Sequence, residues 1–266
     1  MSSAARKLSS KVALITGSSS GIGKATALLF SQLGARLSLT GRNLEAIQEL
    51  KNRCLTKHSS YQTDDTILVT KCELTSEPDV QQLVRQTVAH FGRLDILVNS
   101  AGIIEFGSVE NTSLEQFDRV MGINLRSVYQ LMTLSAEHLV ATKGNVVNVS
   151  SVNGVRSFPN VLAYCVAKAG VDQLTRCAAI ELAGKHVRVN AVNPGVITTG
   201  LQKRGGLTEQ AFRKFLEHSR TTHALGRPGE APEVAAAIAF LASDEASFIT
   251  GVTLPVDGGR HALCPR

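Results

Sequence analysis

"TGSSSGIG", Thr16 to Gly23, follows the apolar run "VALI" (12–15) and precedes the helix-like stretch "KATALLFSQLG" (24–34). Three glycines and three serines between a strand and a helix can cradle a phosphate or can simply turn the chain. A helix opening at this point offers unpaired N–H groups and the positive end of its dipole, and glycine lets a pyrophosphate approach the backbone. The spacing is G-x-x-x-G-x-G, unlike the G-x-G-x-x-G of the commonest dinucleotide fingerprint. The loop by itself therefore leaves both readings open.

On either side of the loop the chain alternates between two patterns. Strand-like apolar runs stand at 12–16, 36–40, 66–71, 94–99, 144–150, 187–192 and 252–256, and helical patterns lie between them at 21–33, 44–56, 77–91, 113–141, 161–183 and 230–243. Crossovers of that length predict an α/β fold: a doubly wound parallel sheet with helices on both faces. Runs such as "NVVNV" and "DILV" suit strands buried on both sides. No linker, composition shift or repeat divides the chain, so a single domain is expected over 1–266. The irregular segment at about 196–229 follows a strand and carries a weak amphipathic helix, "EQAFRKFLEH". It reads either as a mobile substrate cover or as an ordinary packed excursion.

Composition narrows the function classes. The 266 residues are 43% hydrophobic and 19% charged, with no apolar run of membrane-spanning length. The amino-terminal "MSSAARKLSS" lacks the apolar core of a secretory signal, and five scattered cysteines without CxxC pairs suit a reducing compartment, so a cytoplasmic setting is expected. A net charge of +6 admits acidic partners, but the basic pieces are brief and the chain has no Trp and only three Tyr, which argues against nucleic acid. An anionic small-molecule cofactor fits better. The seven histidines show no metal-ligand spacing, so no metal is expected.

"YCVAK", Tyr164 to Lys168, puts a tyrosine and a lysine on one helix face. Ser151 in "NVSSV" stands thirteen residues before Tyr164, with Ser150 as its neighbouring alternative, and Asn124 in "GINLRS" stands forty before it. In this order, after "TGSSSGIG" and "NSAG" (99–102), the set resembles the short-chain dehydrogenase/reductase family from Lys11 to about Gly259. It looks like the branch often labelled 3-oxoacyl-carrier-protein reductase, a label that spans many substrates.

The resemblance implies a Rossmann fold with a seven-stranded sheet, a nicotinamide cofactor, a small carbonyl or alcohol substrate, and a homotetramer or homodimer. It makes Tyr164 the acid/base, Lys168 its tuner and the ribose ligand, Ser151 the holder of the substrate oxygen, and Asn124 the anchor of a water. A phenol with pKa near 10 is a poor proton shuttle at neutral pH. An ammonium about 4 Å away at an effective dielectric near 20 contributes about 4 kcal/mol, or about three pKa units, toward the phenolate.

Cofactor contacts follow the same motifs. Gly17, Ser18, Ser20, Gly21, Ile22 and Gly23 would hold the pyrophosphate, with the hydroxyls of Ser18 and Ser20 on the phosphates. Glu73 and Leu74 of "CEL" stand where the family contacts adenine with an Asp. Asn99, Ala101 and Gly102 of "NSAG" would leave room beside the sheet, with Ser100 replacing a usual Asn. Pro194, Gly195, Ile197 and Thr199 of "NPGVITT" would meet the nicotinamide side and imply pro-S hydride transfer.

At the end of the second strand an NAD site normally carries an acid for the ribose 2′-OH, whereas this chain offers Arg42 and Asn43. Arg42 can pair with a 2′-phosphate, which favours NADP(H). A solvated Arg42 with Glu45 reaching back would instead allow NAD(H) and an alcohol- or hydroxysteroid-type dehydrogenase. A cofactor-binding regulatory protein without turnover is a further alternative, which the intact set of four residues opposes. For the substrate, Ile104, Glu105, Phe106, Val152, Asn153, Arg156, Phe158 and 200–223 are expected to line the site. Arg156, Lys203 and Arg204 read either as attractors of an acidic substrate or as solvated surface charge.

Overall fold

The computed structural model describes residues 6–57 and 62–264; His58, the first five residues and the last two of the tail lie outside them. Strand β1 (Val12–Ile15) shows why the apolar runs are continuous: all four of its residues are buried. Val12 and Leu14 pack with Leu83, Val128 and Val171, while Ala13 and Ile15 pack with Phe30, Ile47 and Ile238. Successive side chains leave a strand on opposite faces, so a strand covered on both sides has no position that faces water.

The sheet adds β2 (Arg36–Gly41), β3 (Ile67–Lys71), β4 (Ile96–Asn99), β5 (Asn145–Val149), β6 (Arg188–Pro194) and β7 (Thr253–Val256). All seven strands are parallel, in the order β3-β2-β1-β4-β5-β6-β7. Helices α1 (Gly21–Gln32), α2 (Leu44–Lys57) and α9 (Ala231–Ala242) supply one core, and α3 (Glu77–Phe91), α5 (Ser127–Thr142) and α6 (Leu162–Ala183) the other. This is the doubly wound sheet that the alternation predicts and the seven-stranded Rossmann-like fold that the resemblance implies. Strand order reverses between β1 and β4, and ligands of open α/β sheets bind in the crevice at such a switch point. Among the described residues no helix is long and apolar enough to cross a membrane.

Two departures from the sequence reading concern the site. The stretch 113–141, expected as one helix, is α4 (Leu114–Met121), a π-helical turn at Gly122–Arg126, and α5. One inserted residue rotates the helix face there, and apolar periodicity does not register it. The segment after β6 folds into a short α7 (Leu201–Arg204) and a longer α8 (Glu209–Thr222) laid along the crevice.

Candidate active site

The glycine loop is built around close backbone approach. Gly17 has φ 65°, and a Cβ there would lie 2.8 Å from Ala101 Cα. A Cβ on Gly23 would collide with the carbonyl oxygen of Gly17 and lie 2.8 Å from its carbon. Ser20 precedes α1 without capping it through its side chain, so the first amides of that helix keep their hydrogen-bonding capacity. A mouth of this kind fits a pyrophosphate. Ser18 is a correction: its hydroxyl is fully buried, donates to the Ile15 carbonyl (2.7 Å) and accepts from the Thr40 amide (3.1 Å). It ties β1 to β2 and is not available to a phosphate, while Ser19 and Ser20 line the cleft with Gly21 and Ile22.

Arg42 is exposed at the wall of the same cleft, beside Asn43. The Asn43 side chain is already used, accepting the Ala46 amide at 2.9 Å to start α2. Glu45 does not line the cleft. Glu73 and Leu74 do, but the Glu73 carboxylate turns back to accept from the Thr75 hydroxyl (3.1 Å) and amide (3.3 Å). Asn99 is buried in the sheet and donates to Asn148 Oδ1 at 2.8 Å, so it braces β4 against β5 from behind the cleft. Ala101 and Gly102 line the cleft, and the Thr16 hydroxyl holds the Ala101 amide at 3.1 Å.

The four residues singled out by spacing converge. Ser151 lies just past β5 and accepts the Asn153 amide at 3.1 Å. Tyr164 lies beside Ser151 and is 7% exposed. Lys168 Nζ donates to the Val149 carbonyl (2.8 Å) and stands 5.6 Å from the Tyr164 ring centroid. Asn124 occupies the π-turn, donating to the Ile103 carbonyl (2.9 Å) and accepting the Ile103 amide (3.0 Å). Gly102 is the gap between them: a Cβ there would lie 2.7 Å from Asn124 Oδ1 and 3.7 Å from Lys168 Nζ. Ser150 turns away, its hydroxyl donating to the Lys168 carbonyl at 3.1 Å.

The electrostatics correct one expectation. Burial pushes the Tyr164 phenol up to about 12, with the Ser151 hydroxyl opposing, and pushes the Lys168 ammonium down to about 8, with Asp172 opposing. Among the protein's own groups desolvation therefore outweighs the lysine's pull on the phenol. Asp172, one further turn along α6, was not read from the sequence, although Tyr164, Lys168 and Asp172 share one i, i+4, i+8 face. It accepts Asn193 Nδ2 at 2.8 Å, and burial raises its pKa.

From the end of β6 onward, Pro194, Gly195, Ile197 and Thr199 line the cleft, and Thr199 Cγ2 would lie 3.3 Å from a Cβ on Gly21. Lys203 leaves the site to pair with Glu209 at 2.5 Å. Arg204 lines the same cleft as Arg42, and burial together with the Arg42 charge lowers its pKa. His223 is a second group to which the sequence pattern gave no role in the site. Its Nε2 accepts the Val196 amide (3.1 Å) and its Nδ1 donates to the Ser219 carbonyl (2.7 Å), which joins α8 to the end of β6.

Burial, followed by the Arg260 charge, holds His223 below its ordinary 6.5 despite the Ser219 bond. The unfolded chain then takes up the proton first, so the stability His223 contributes is complete above about pH 6.5 and is lost as pH falls below it. The difference in melting temperature between wild type and His223→Gln is expected to shrink between pH 6.5 and 5. A difference independent of pH would contradict this.

Residues 17–261 match a family model described as enoyl-(acyl carrier protein) reductase. The chain is 37% identical to a 3-oxoacyl-[acyl-carrier-protein] reductase of Thermotoga maritima, covering 95% of this chain and 98% of that protein. It is 36% identical to levodione reductase of Leifsonia aquatica, covering 98% of each. A solved Caenorhabditis elegans short-chain dehydrogenase/reductase of unknown function, with cofactor, superimposes with a TM-score of 0.91 at 35% identity over 97% of both chains.

Proposed function

This chain belongs to the short-chain dehydrogenase/reductase family, oxidoreductases acting on carbonyl and alcohol groups, and we propose that it uses NADP(H) in preference to NAD(H), with Tyr164 as acid/base. The observation that carries the reading is one cleft of about 660 Å³ that contains both the glycine mouth and the Ser151, Tyr164 and Lys168 side chains. The glycine positions that no Cβ could occupy and the uncapped start of α1 fit a dinucleotide.

When bound, NADP(H) supplies or accepts the hydride at C4 of its nicotinamide. In the reducing direction the carbonyl carbon gains that hydride and the carbonyl oxygen gains the Tyr164 proton. A phenol held near 12 is fully protonated at neutral pH and therefore ready to donate. Ser151 orients the oxygen, and Lys168 stabilises the phenolate left behind. Asn124 keeps the π-turn and the Ile103 backbone in place beside Lys168.

Arg42, with Arg204 in the same cleft, supports the NADP(H) preference, since two guanidiniums lining one cleft suit a phosphate dianion. Exposed apolar residues Tyr129, Val166 and Ile180 on α5 and α6 support assembly as a homotetramer or homodimer. The scattered cysteines support a cytoplasmic setting.

The test is a panel of ketones, diketones, quinones and oxoacyl thioesters, run with NADPH and NADH in both directions. Turnover with NADPH ahead of NADH is expected. Arg42→Ala should weaken NADPH binding by about 10- to 100-fold, equal to about 1.5–3 kcal/mol for a charged hydrogen bond, and change NADH binding little. A wild-type preference for NADH, or an Arg42→Ala variant with unchanged preference, would remove Arg42 from the cofactor site.

A further inference from the structure

The carboxylate and cationic side chains among the described residues that line the cleft are Arg42, Glu73, Lys168, Arg204 and Arg260. Glu73 is the one carboxylate, and it accepts from Thr75. On the reading above, Arg42 and Arg204 meet cofactor phosphate and Lys168 serves Tyr164. Arg260 is left over, in the tail that follows β7, where no sequence motif drew attention to it.

Its setting is built. The neighbouring Asp257 carboxylate is consumed by the turn, accepting the Gly259 amide (3.0 Å) and the His261 amide (2.6 Å) and pairing with His261 Nδ1 (2.9 Å). Beyond Arg260 the tail is pinned by Arg156, whose Nη1 donates to the His261 carbonyl (2.6 Å) and the Leu263 carbonyl (3.2 Å). Arg156 is exposed and outside the cleft lining, and it acts as the clasp of the tail. Between these two fixed points the Arg260 guanidinium stacks 4.5 Å from the Phe158 ring centroid. Phe158 lines the cleft and packs against the cluster that holds Tyr164.

Arg260 Nε is buried and has no hydrogen-bond partner, and the guanidinium forms no ion pair among the described residues. Burial holds its pKa below the ordinary range, with Asp257 opposing and Arg156 adding to the fall. A part-buried guanidinium without a hydrogen-bonded acid is unfavourable unless a ligand supplies one. The cleft wall is largely apolar, with Ile104, Phe106, Val152 and Phe215 among its residues, and its one carboxylate, Glu73, is held by Thr75.

We propose that Arg260 is a substrate-specificity residue and that the preferred substrate is an oxo acid, its carbonyl at Ser151 and Tyr164 and its carboxylate on the Arg260 guanidinium. This rests on the reductase reading above. A planar carboxylate accepts two N–H bonds from one edge of a guanidinium while the flat face stays on Phe158. The redox step is unchanged: hydride to the carbonyl carbon and the Tyr164 proton to its oxygen give the hydroxy acid and the oxidised cofactor.

The probes are linear methyl-ketone oxo acids with one to four methylenes between carbonyl and carboxylate, each paired with its methyl ester. Calorimetry on NADPH-saturated Tyr164→Phe protein is expected to show at least one acid bound 10-fold or more tighter than its ester. Arg260→Gln in that background should reduce the acid-to-ester ratio at least 10-fold, and Arg260→Lys should restore part of it. Equal affinity for every acid and ester pair, or a ratio that Arg260→Gln leaves intact, overturns the proposal. Because binding is read without turnover, an acid preference in a wild type that transfers no hydride would sink the reductase reading and keep the subsite. Turnover of neutral ketones without an acid preference would do the reverse.

Discussion

Tyr164→Phe is expected to lower kcat for NADPH-dependent carbonyl reduction by about 10²- to 10⁴-fold, the range for loss of a positioned general acid. The ring remains packed among Val120, Ala163 and Ala167, so the helix face and the cofactor mouth keep their shape. NADPH affinity, read by fluorescence titration, should change less than about threefold by the same argument. A variant with wild-type kcat would mean that another group delivers the proton.

The pH profile provides a second reading of the same site. With the phenol near 12 and the Lys168 ammonium near 8, reduction should be level through neutrality and fall above about pH 8 as the ammonium is lost. The sign follows from charge: donating its proton leaves Tyr164 anionic, and a neutral lysine no longer stabilises that anion.

Gly23→Ala should weaken cofactor binding and stability together. The added methyl meets backbone, the Gly17 carbonyl, and lies 3.1 Å from the Thr16 carbonyl oxygen, so the loop itself must move. Overpacking of this kind costs about 1–3 kcal/mol. Spent at the pyrophosphate mouth, that is about 10- to 100-fold in NADPH affinity, accompanied by a lower melting temperature. Gly92→Ala is the control. Its φ of 74° makes alanine strained, but nothing lies within 4 Å of the new methyl. It should cost about 1 kcal/mol of stability with NADPH affinity intact. Equal NADPH affinities in the two variants would contradict the cradle.

Much of this was legible because the governing physics is local. β1 is apolar on both faces because helices cover both, and that alone separates a parallel sheet from an alternating one-faced strand. Tyr164 and Lys168 share a helix face by periodicity, so their proximity needed no tertiary information. The misses depend on the third dimension. Ser18 and Ser19 differ only in which way a turn aims them, and burial of Ser18 between β1 and β2 decides it.

The π-turn at Asn124 hides inside a pattern of uninterrupted helix. Lysine's influence on Tyr164 was overestimated because sequence reports spacing and not desolvation, which here raises the phenol and lowers the ammonium together. Arg260 was invisible because its tail carries no periodic signal. Its place in the cleft comes from Arg156 clasping carbonyls 105 and 107 residues further along the chain.

The most direct test of the central claim follows the hydride. Wild-type protein is incubated with NADPH deuterated at the pro-S or the pro-R position of C4, together with the best carbonyl compound of the panel, and the alcohol is analysed by mass spectrometry. Deuterium on the carbinol carbon from the pro-S label alone is the expected result. Label from the pro-R position, or alcohol formed without label from either, would contradict it.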